Sequence, residues 1–142
     1  MKLLINTDGG ARGNPGPAGI GAIIRQVEDG NQKTNRISKY IGEATNNQAE
    51  YQAVIEALRW LTVNRQQLPT DLEIECLLDS ELIVEQLNQR YKLKNEGLKP
   101  LFWEIRDLIM TLGGKVSFKY IPRAQNKEAD KLVNEAIDKR SK

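Results

Sequence analysis

The sequence predicts one α/β domain built on a mixed five-stranded sheet, an antiparallel meander followed by parallel strands, with helices on both faces. Three observations carry this. The first three apolar segments are extended and separated only by short turns, as in an antiparallel meander. The two later strand-like segments alternate with helix-periodic ones, which implies parallel crossovers. The chain has 142 residues, 39% hydrophobic and 28% charged, enough for one core, so residues 1–142 are read as a single domain.

Residues 2–8 read as a strand with Leu3, Leu4 and Ile5 as its buried part, stopping at the dense turn signal Asp8-Gly9-Gly10-Ala11-Arg12-Gly13-Asn14-Pro15-Gly16-Pro17. Residues 18–27 carry Ile20, Ala22, Ile23 and Ile24, and after the polar turn Glu28-Asp29-Gly30-Asn31 a third extended segment covers 33–41. Thr45 and Gln48 stand at capping-box spacing, where each side chain satisfies a backbone N–H near the other. The helix they open repeats Ala49, Ala53, Leu58 and Leu61 and runs to about residue 64. Residues 72–78 alternate and then become continuously apolar, as a central strand does, ending at Asp79-Ser80. Leu82, Ile83, Gln86 and Leu87 follow at helical spacing.

Residues 90–99 form a polar connection with Arg90, Lys92, Lys94 and Lys99 against Glu96, broken by Gly97 and Pro100. Leu101, Ile105, Leu108, Ile109 and Leu112 then mark a helix, and Phe102 and Trp103 are assigned to the core with them. Gly113-Gly114 ends it. Val116, Phe118 and Tyr120 alternate through a strand at 115–121 that Pro122 closes. The last helix, 126–139, lines up Ala129, Leu132, Val133, Ala136 and Ile137.

Composition narrows the chemistry. A net charge of +2 is too small to announce a nucleic-acid protein, although a pI near 8.7 leaves that partner open. The single Cys76 excludes an internal disulfide framework and suits a reducing compartment. The chain has no His, so histidine acid/base catalysis, Ser-His or Cys-His pairs and the usual zinc sites are excluded. The apolar run Leu3-Leu4-Ile5 is too short for a signal peptide or membrane span, so a soluble, cytoplasmic protein without membrane attachment is expected.

Four acids stand out. Asp8 and Asp79 close sheet-core strands, at the edge where open α/β sheets bind ligands. Glu50, in the first turn of its helix, shares a face with Ala53, Val54, Ala57 and Leu61, and Asp130 borders the Ala129-Val133-Ile137 stripe, so both are expected to point toward the sheet. Turn, cap and helix-dipole roles would account for each acid alone. Together they form a constellation whose mutual repulsion calls for cations. An all-oxygen donor set favours Mg²⁺ or Mn²⁺, and two ions about 3.5–4 Å apart suit in-line phosphoryl displacement.

In four blocks the chain resembles the type 1 ribonuclease H family: Thr7-Asp8-Gly9-Gly10 leading to Gly13-Asn14-Pro15-Gly16-Pro17, then Thr45-Asn46-Asn47-Gln48-Ala49-Glu50, then Leu78-Asp79-Ser80, then Asn126-Lys127-Glu128-Ala129-Asp130-Lys131-Leu132. They keep the family's order over essentially the whole chain. The resemblance implies a ribonuclease H-like fold and an endonuclease that hydrolyses the RNA strand of RNA–DNA hybrids, leaving 5′-phosphate and 3′-hydroxyl ends. Asp8, Glu50, Asp79 and Asp130 would be its catalytic acids and the ligands of two Mg²⁺, with Mn²⁺ a possible substitute. Glu50 would also lie near the substrate 2′-hydroxyl. Asn14, Asn46 and the backbone at Gly9 and Gly10 would contact the RNA strand, and Thr45 a DNA phosphate. A monomer acting on a hybrid duplex is expected.

The resemblance is to a short form. Where many relatives carry a basic helix and loop after the third acidic block, residues 90–100 are short and only modestly basic, so a reduced grip on the hybrid follows. In the loop before the last helix, where many relatives have a His, this chain has Arg123, which cannot act as a base and is assigned to stabilising phosphate charge. Glu81 stands where some relatives place an RNA-contacting amide. Other readings of the same residues are a metal nuclease acting mainly on double-stranded RNA, a non-catalytic hybrid-binding module, and a detached domain of a polymerase-associated protein.

Overall fold

The computed structural model describes residues 2–28 and 30–140, so Asp29 of the expected turn lies outside the described residues. The chain runs β1 (Lys2–Ala11), β2 (Gly16–Glu28), β3 (Asn31–Ala44), α1 (Asn46–Val63), β4 (Glu73–Leu78), α2 (Glu81–Leu87), α3 (Lys99–Thr111), β5 (Val116–Tyr120) and α4 (Lys127–Asp138), with 3₁₀ turns at Arg65–Gln67 and Arg123–Gln125. The sheet order is β3-β2-β1-β4-β5. The first three strands pair antiparallel, while β4 pairs parallel to β1, with Ile5 opposite Cys76, and β5 parallel to β4. This is the predicted mixed sheet.

The hairpin strands are longer than their apolar segments. β1 continues through Gly9 and Gly10, which pair with Ile20 and Gly19, so the turn shrinks to residues 12–15 and Asp8 sits inside the strand rather than closing it. The glycine run has the composition of a turn, but cross-strand pairing keeps it extended.

One face of the sheet carries the main core. Leu3, Ile5, Ala22, Ile24, Cys76 and Leu78 pack against Tyr51, Val54, Ile55, Leu58 and Leu61 of α1, with Ile105 and Ile109 of α3 behind them. Burying a side chain such as Ile55, Leu58 or Leu61 stabilises by about 1.5–3 kcal/mol. The Thr45 cap contributes about 1 kcal/mol. Packing therefore holds α1, and the cap decides where it starts. Both capping-box bonds are present: Gln48 N–H to Thr45 Oγ1 at 3.1 Å and Thr45 N–H to Gln48 Oε1 at 2.9 Å.

On the other face α4 lies directly on β2. A Cβ added at Gly21 would stand 2.3 Å from the Ala129 carbonyl oxygen, and one at Gly19 2.9 Å from that of Val133, so only glycine admits the helix this closely. Ile23, Ala129 and Leu132 form the small core between them.

Trp103 does not join the core. It is 62% exposed, with its ring edge-on to that of Phe102, which is half-buried. Two residues along a helix turn the direction by about 200°, so with Ile105 facing inward Trp103 faces out.

Candidate active site

Three neighbouring chain segments converge at the C-terminal ends of β1 and β4. Gly9 makes the first approach possible. A Cβ there would lie 2.2 Å from the Ala49 carbonyl carbon and oxygen and 2.5 Å from the Glu50 nitrogen. Without one, β1 runs directly beneath the first turn of α1, and Asp8 and Glu50 become neighbours. Asp79 follows the last residue of β4, just before Ser80, whose hydroxyl accepts from Ile83 N–H at 3.4 Å and caps α2. Each of Asp8, Glu50 and Asp79 offers a carboxylate oxygen within 4.8 Å of the others.

Asp8 and Glu50 are buried and Asp79 is half-buried. Asp130 differs from expectation. It joins the same cleft from the first turn of α4 but is exposed, because its position beside the apolar stripe turns it to the rim instead of the sheet. Asn134 Nδ2 holds the Asp130 carbonyl oxygen at 3.1 Å and touches Oδ2 at 3.5 Å. The cleft has a volume of about 380 Å³ and is lined also by Gly9, Gly10, Asn46, Asn47, Ser80 and Arg123.

The electrostatics follow from burial. Asp8 is pushed up to about 7, chiefly by loss of water, with the charges of Asp79 and Asp130 adding to it against a lowering contact from Glu50. Glu50 is held well above the ordinary carboxylate range, again by burial first and then by Asp8. Glu50 Oε2 is buried without a hydrogen-bond partner. A buried acceptor left unpaired is costly in the bare protein. An oxygen-only donor set with one orphaned oxygen fits a hard divalent cation, which would supply the missing partner and offset the repulsion.

The amides expected to meet substrate are interlocked. Asn46 N–H donates to Asn14 Oδ1 at 2.9 Å, and Asn46 Oδ1 accepts from Ala11 N–H at 2.9 Å. Their oxygens tie the hairpin turn to the start of α1, and their amide nitrogens are left to donate outward. Asn46 lines the acidic cleft, whereas Asn14 lies on the exposed hairpin turn outside the cleft lining. Gly10 lines the cleft with ordinary clearance, 3.6 Å, between an added Cβ and Val133. Thr45 caps α1 by accepting from Gln48 N–H on its hydroxyl oxygen. Arg123 is exposed on the cleft wall, with no salt bridge among the described residues. Glu81 is exposed and outside the cleft lining.

Beneath the cleft, Asn6 escapes motif reading, and so does the role of Asn126, which opens the fourth block. Asn126 Nδ2 donates to Asp79 Oδ2 and to the Thr7 carbonyl, each at 2.9 Å, and its Oδ1 accepts from Asn6 Nδ2 at 3.0 Å. The only signal is a polar Asn6 inside an apolar strand.

The sheet order, with Asp8 inside β1 and Asp79 just past β4 brought together with Glu50, defines a ribonuclease H-like protein. A family model described as reverse transcriptase-like matches residues 6–136. LC11-RNase H1, isolated from compost by a metagenomic approach, superposes with a TM-score of 0.90 at 50% identity over 99% of both chains. A ribonuclease H of Erythrobacter litoralis is 32% identical over 99% of each chain. A bifunctional protein of Mycobacterium tuberculosis is 38% identical over 97% of this chain, which spans only 36% of that relative's length. The chain belongs to the type 1 ribonuclease H family.

Proposed function

We propose that this chain is an endonuclease that hydrolyses the RNA strand of RNA–DNA hybrids, with Asp8, Glu50, Asp79 and Asp130 holding two Mg²⁺. The observation that carries the reading is the meeting of three carboxylates within 4.8 Å around an unpartnered Glu50 oxygen. LC11-RNase H1, 48% identical to this chain in that second structure, has been solved in complex with an RNA/DNA hybrid, which supports the choice of substrate. Asp8, Glu50, Asp79 and Asp130 would hold the ions, whose positive charge would favour ionisation of an attacking water and stabilise the leaving 3′-oxygen.

The chain's own groups do the rest. Asp8 and Glu50, raised when bare, ionise as they take up the ligand role. Asn46 and Asn14 present amide N–H groups, and the backbone at Gly9 and Gly10 lines the cleft where the RNA strand would pass, a recognition of sugar rather than base. Arg123, exposed on the cleft lining, would meet a substrate phosphate there. The grip that a basic helix would give is replaced in part by a groove of about 290 Å³ where Tyr91, 53% exposed, and Trp103 stand beside Lys92 and Lys99.

The test is incubation of end-labelled hybrid and of duplex RNA with the purified chain, with Mg²⁺ and with chelator. Cleavage of the hybrid's RNA strand to 5′-phosphate ends, abolished by chelator, is the expected result. Cleavage of duplex RNA in preference to hybrid, or cutting that survives chelation, would overturn the assignment.

A further inference from the structure

The hydrogen bond from Asn126 to Asp79 is the last link of a chain that crosses the sheet. Arg25 Nη1 on β2 donates to Asn6 Oδ1 on β1 at 2.6 Å, Asn6 Nδ2 donates to Asn126 Oδ1 at 3.0 Å, and Asn126 Nδ2 donates to Asp79 Oδ2 at 2.9 Å. The two amides are almost completely buried, Asn6 at 5% exposure and Asn126 at 1%. Neither can trade its bonds for water.

The direction of this chain is fixed at both ends. A guanidinium can only donate, and an ionised carboxylate can only accept. With Arg25 behind it, Asn6 must turn its oxygen to the guanidinium and its nitrogen to Asn126. Asn126 must then accept on its oxygen and present N–H to Asp79, an orientation that the Thr7 carbonyl, accepting from the same nitrogen at 2.9 Å, also favours. A flip of either amide would set oxygen against oxygen or nitrogen against nitrogen within the buried row. Arg25 is itself held at the surface by Glu128, 3.7 Å away, which also pairs with Arg36 at 3.0 Å. Buried hydrogen bonds arranged head to tail polarise one another, so the cation at one end strengthens the donor at the other.

We propose that Asn6 is a positioning residue for the acidic cleft: backed by Arg25, it sets the orientation of Asn126 so that Asp79 is met by a donor and its carboxylate is fixed for cation binding. The proposal rests on the reading of the cleft as a divalent-cation site. Asn6 touches neither substrate nor cation and acts only through Asn126. Groups hydrogen-bonded directly to metal ligands, as Asn126 is to Asp79, typically change metal affinity or activity by about 10–100-fold when removed, and Asn6, one bond further out, is expected at the low end of that range.

Asn6→Asp separates positioning from packing. The substitution keeps the shape and gives Arg25 a better partner, so a merely structural role is preserved. It removes the N–H that Asn126 Oδ1 accepts and sets a carboxylate oxygen in its place, so Asn126 is pushed from its present seat and its bond to Asp79 is disturbed, although the Thr7 carbonyl still favours the present orientation. The chain is titrated with Mn²⁺ by calorimetry, its thermal midpoint is read in chelator, and kcat and KM are measured on hybrid. The expected result is Mn²⁺ binding about tenfold weaker, a fall in kcat at subsaturating metal, an unchanged KM for hybrid and a midpoint close to wild type. Arg25→Gln, at the partly exposed end of the chain, admits the reversed polarity. It is expected to weaken Mn²⁺ binding in the same direction by about two- to fivefold, and it decides the matter should Asn6→Asp fail to fold. Wild-type Mn²⁺ affinity in folded Asn6→Asp, or in Arg25→Gln when the first variant does not fold, overturns the proposal while leaving the cation site intact. A wild-type chain that binds no divalent ion overturns the parent reading and this one with it.

Discussion

At the scale of single residues, the cleft combines groups that disfavour one another until a cation arrives. Asp79→Asn keeps the size of the side chain and removes the charge that would hold a cation, so it is expected to lower hybrid cleavage by about a hundred- to a thousandfold, the scale of losing one preorganised electrostatic group, with an unchanged circular dichroism spectrum; cleavage at the wild-type rate would disprove its role. Asp8 gives a pH prediction for the metal-free protein. Its folded value, about 7, lies above the ordinary 3.8, so between those values the native state binds more protons than the unfolded chain. Stability then declines as pH rises from about 4 to 7. In chelator the melting temperature of wild type, relative to Asp8→Asn, is expected to fall across that window, and saturating Mg²⁺ is expected to flatten the fall. Gly9 belongs to the same argument, because its missing side chain is what lets Asp8 and Glu50 meet. Gly9→Ala forces a carbon into the Ala49 backbone and is expected to cost at least about 1–3 kcal/mol in chemical denaturation, the usual scale for overpacking.

Among the elements, α4 and α1 bring the remaining acids to the sheet, and each is seated by a different device. The seat of α4 is the side-chain-free strip of β2, so Gly21→Ala, which would press on the Ala129 carbonyl, is expected to lower the melting temperature and to move Asp130 away from the cleft, read as a weaker response to Mg²⁺. The start of α1 is set by Thr45 and Gln48, and this is legible because a capping box is a local rule with a fixed spacing. The parallel strand at Leu78-Asp79 is equally plain from its apolar run. The extent of β1 is not. Gly9 and Gly10 have turn composition, and only their partners on β2, far from them in local pattern, hold them extended. Trp103 is misplaced by sequence reasoning because a row of apolar residues looks like one face until each is turned through its helical angle. Asp130 is assigned to the sheet for a similar reason, one position off a true stripe. The Asn6–Asn126 contact joins residues 120 apart, and no local periodicity encodes it.

For the whole molecule, the small net charge and the short, modestly basic segment at 90–100 make the proposed binding of a hybrid a matter of a few placed cations. Lys92 and Lys99 beside Tyr91 and Trp103 form one such place. The double variant Lys92→Ala with Lys99→Ala is expected to reduce the slope of log affinity against log salt by about two, one for each phosphate no longer neutralised; an unchanged slope in a binding titration would remove this groove from the interface. The parallel half of the sheet supplies Asp79 and the meander supplies Asp8, so the cleft exists only when both halves are folded together. The acids are thus joined by topology, and on the proposed reading a bound cation would keep them together. Anomalous diffraction from crystals grown with Mn²⁺ tests this most directly. A peak among the carboxylates of Asp8, Glu50 and Asp79 is predicted, and a saturated crystal with no peak there, or with Mn²⁺ bound only elsewhere, would contradict it.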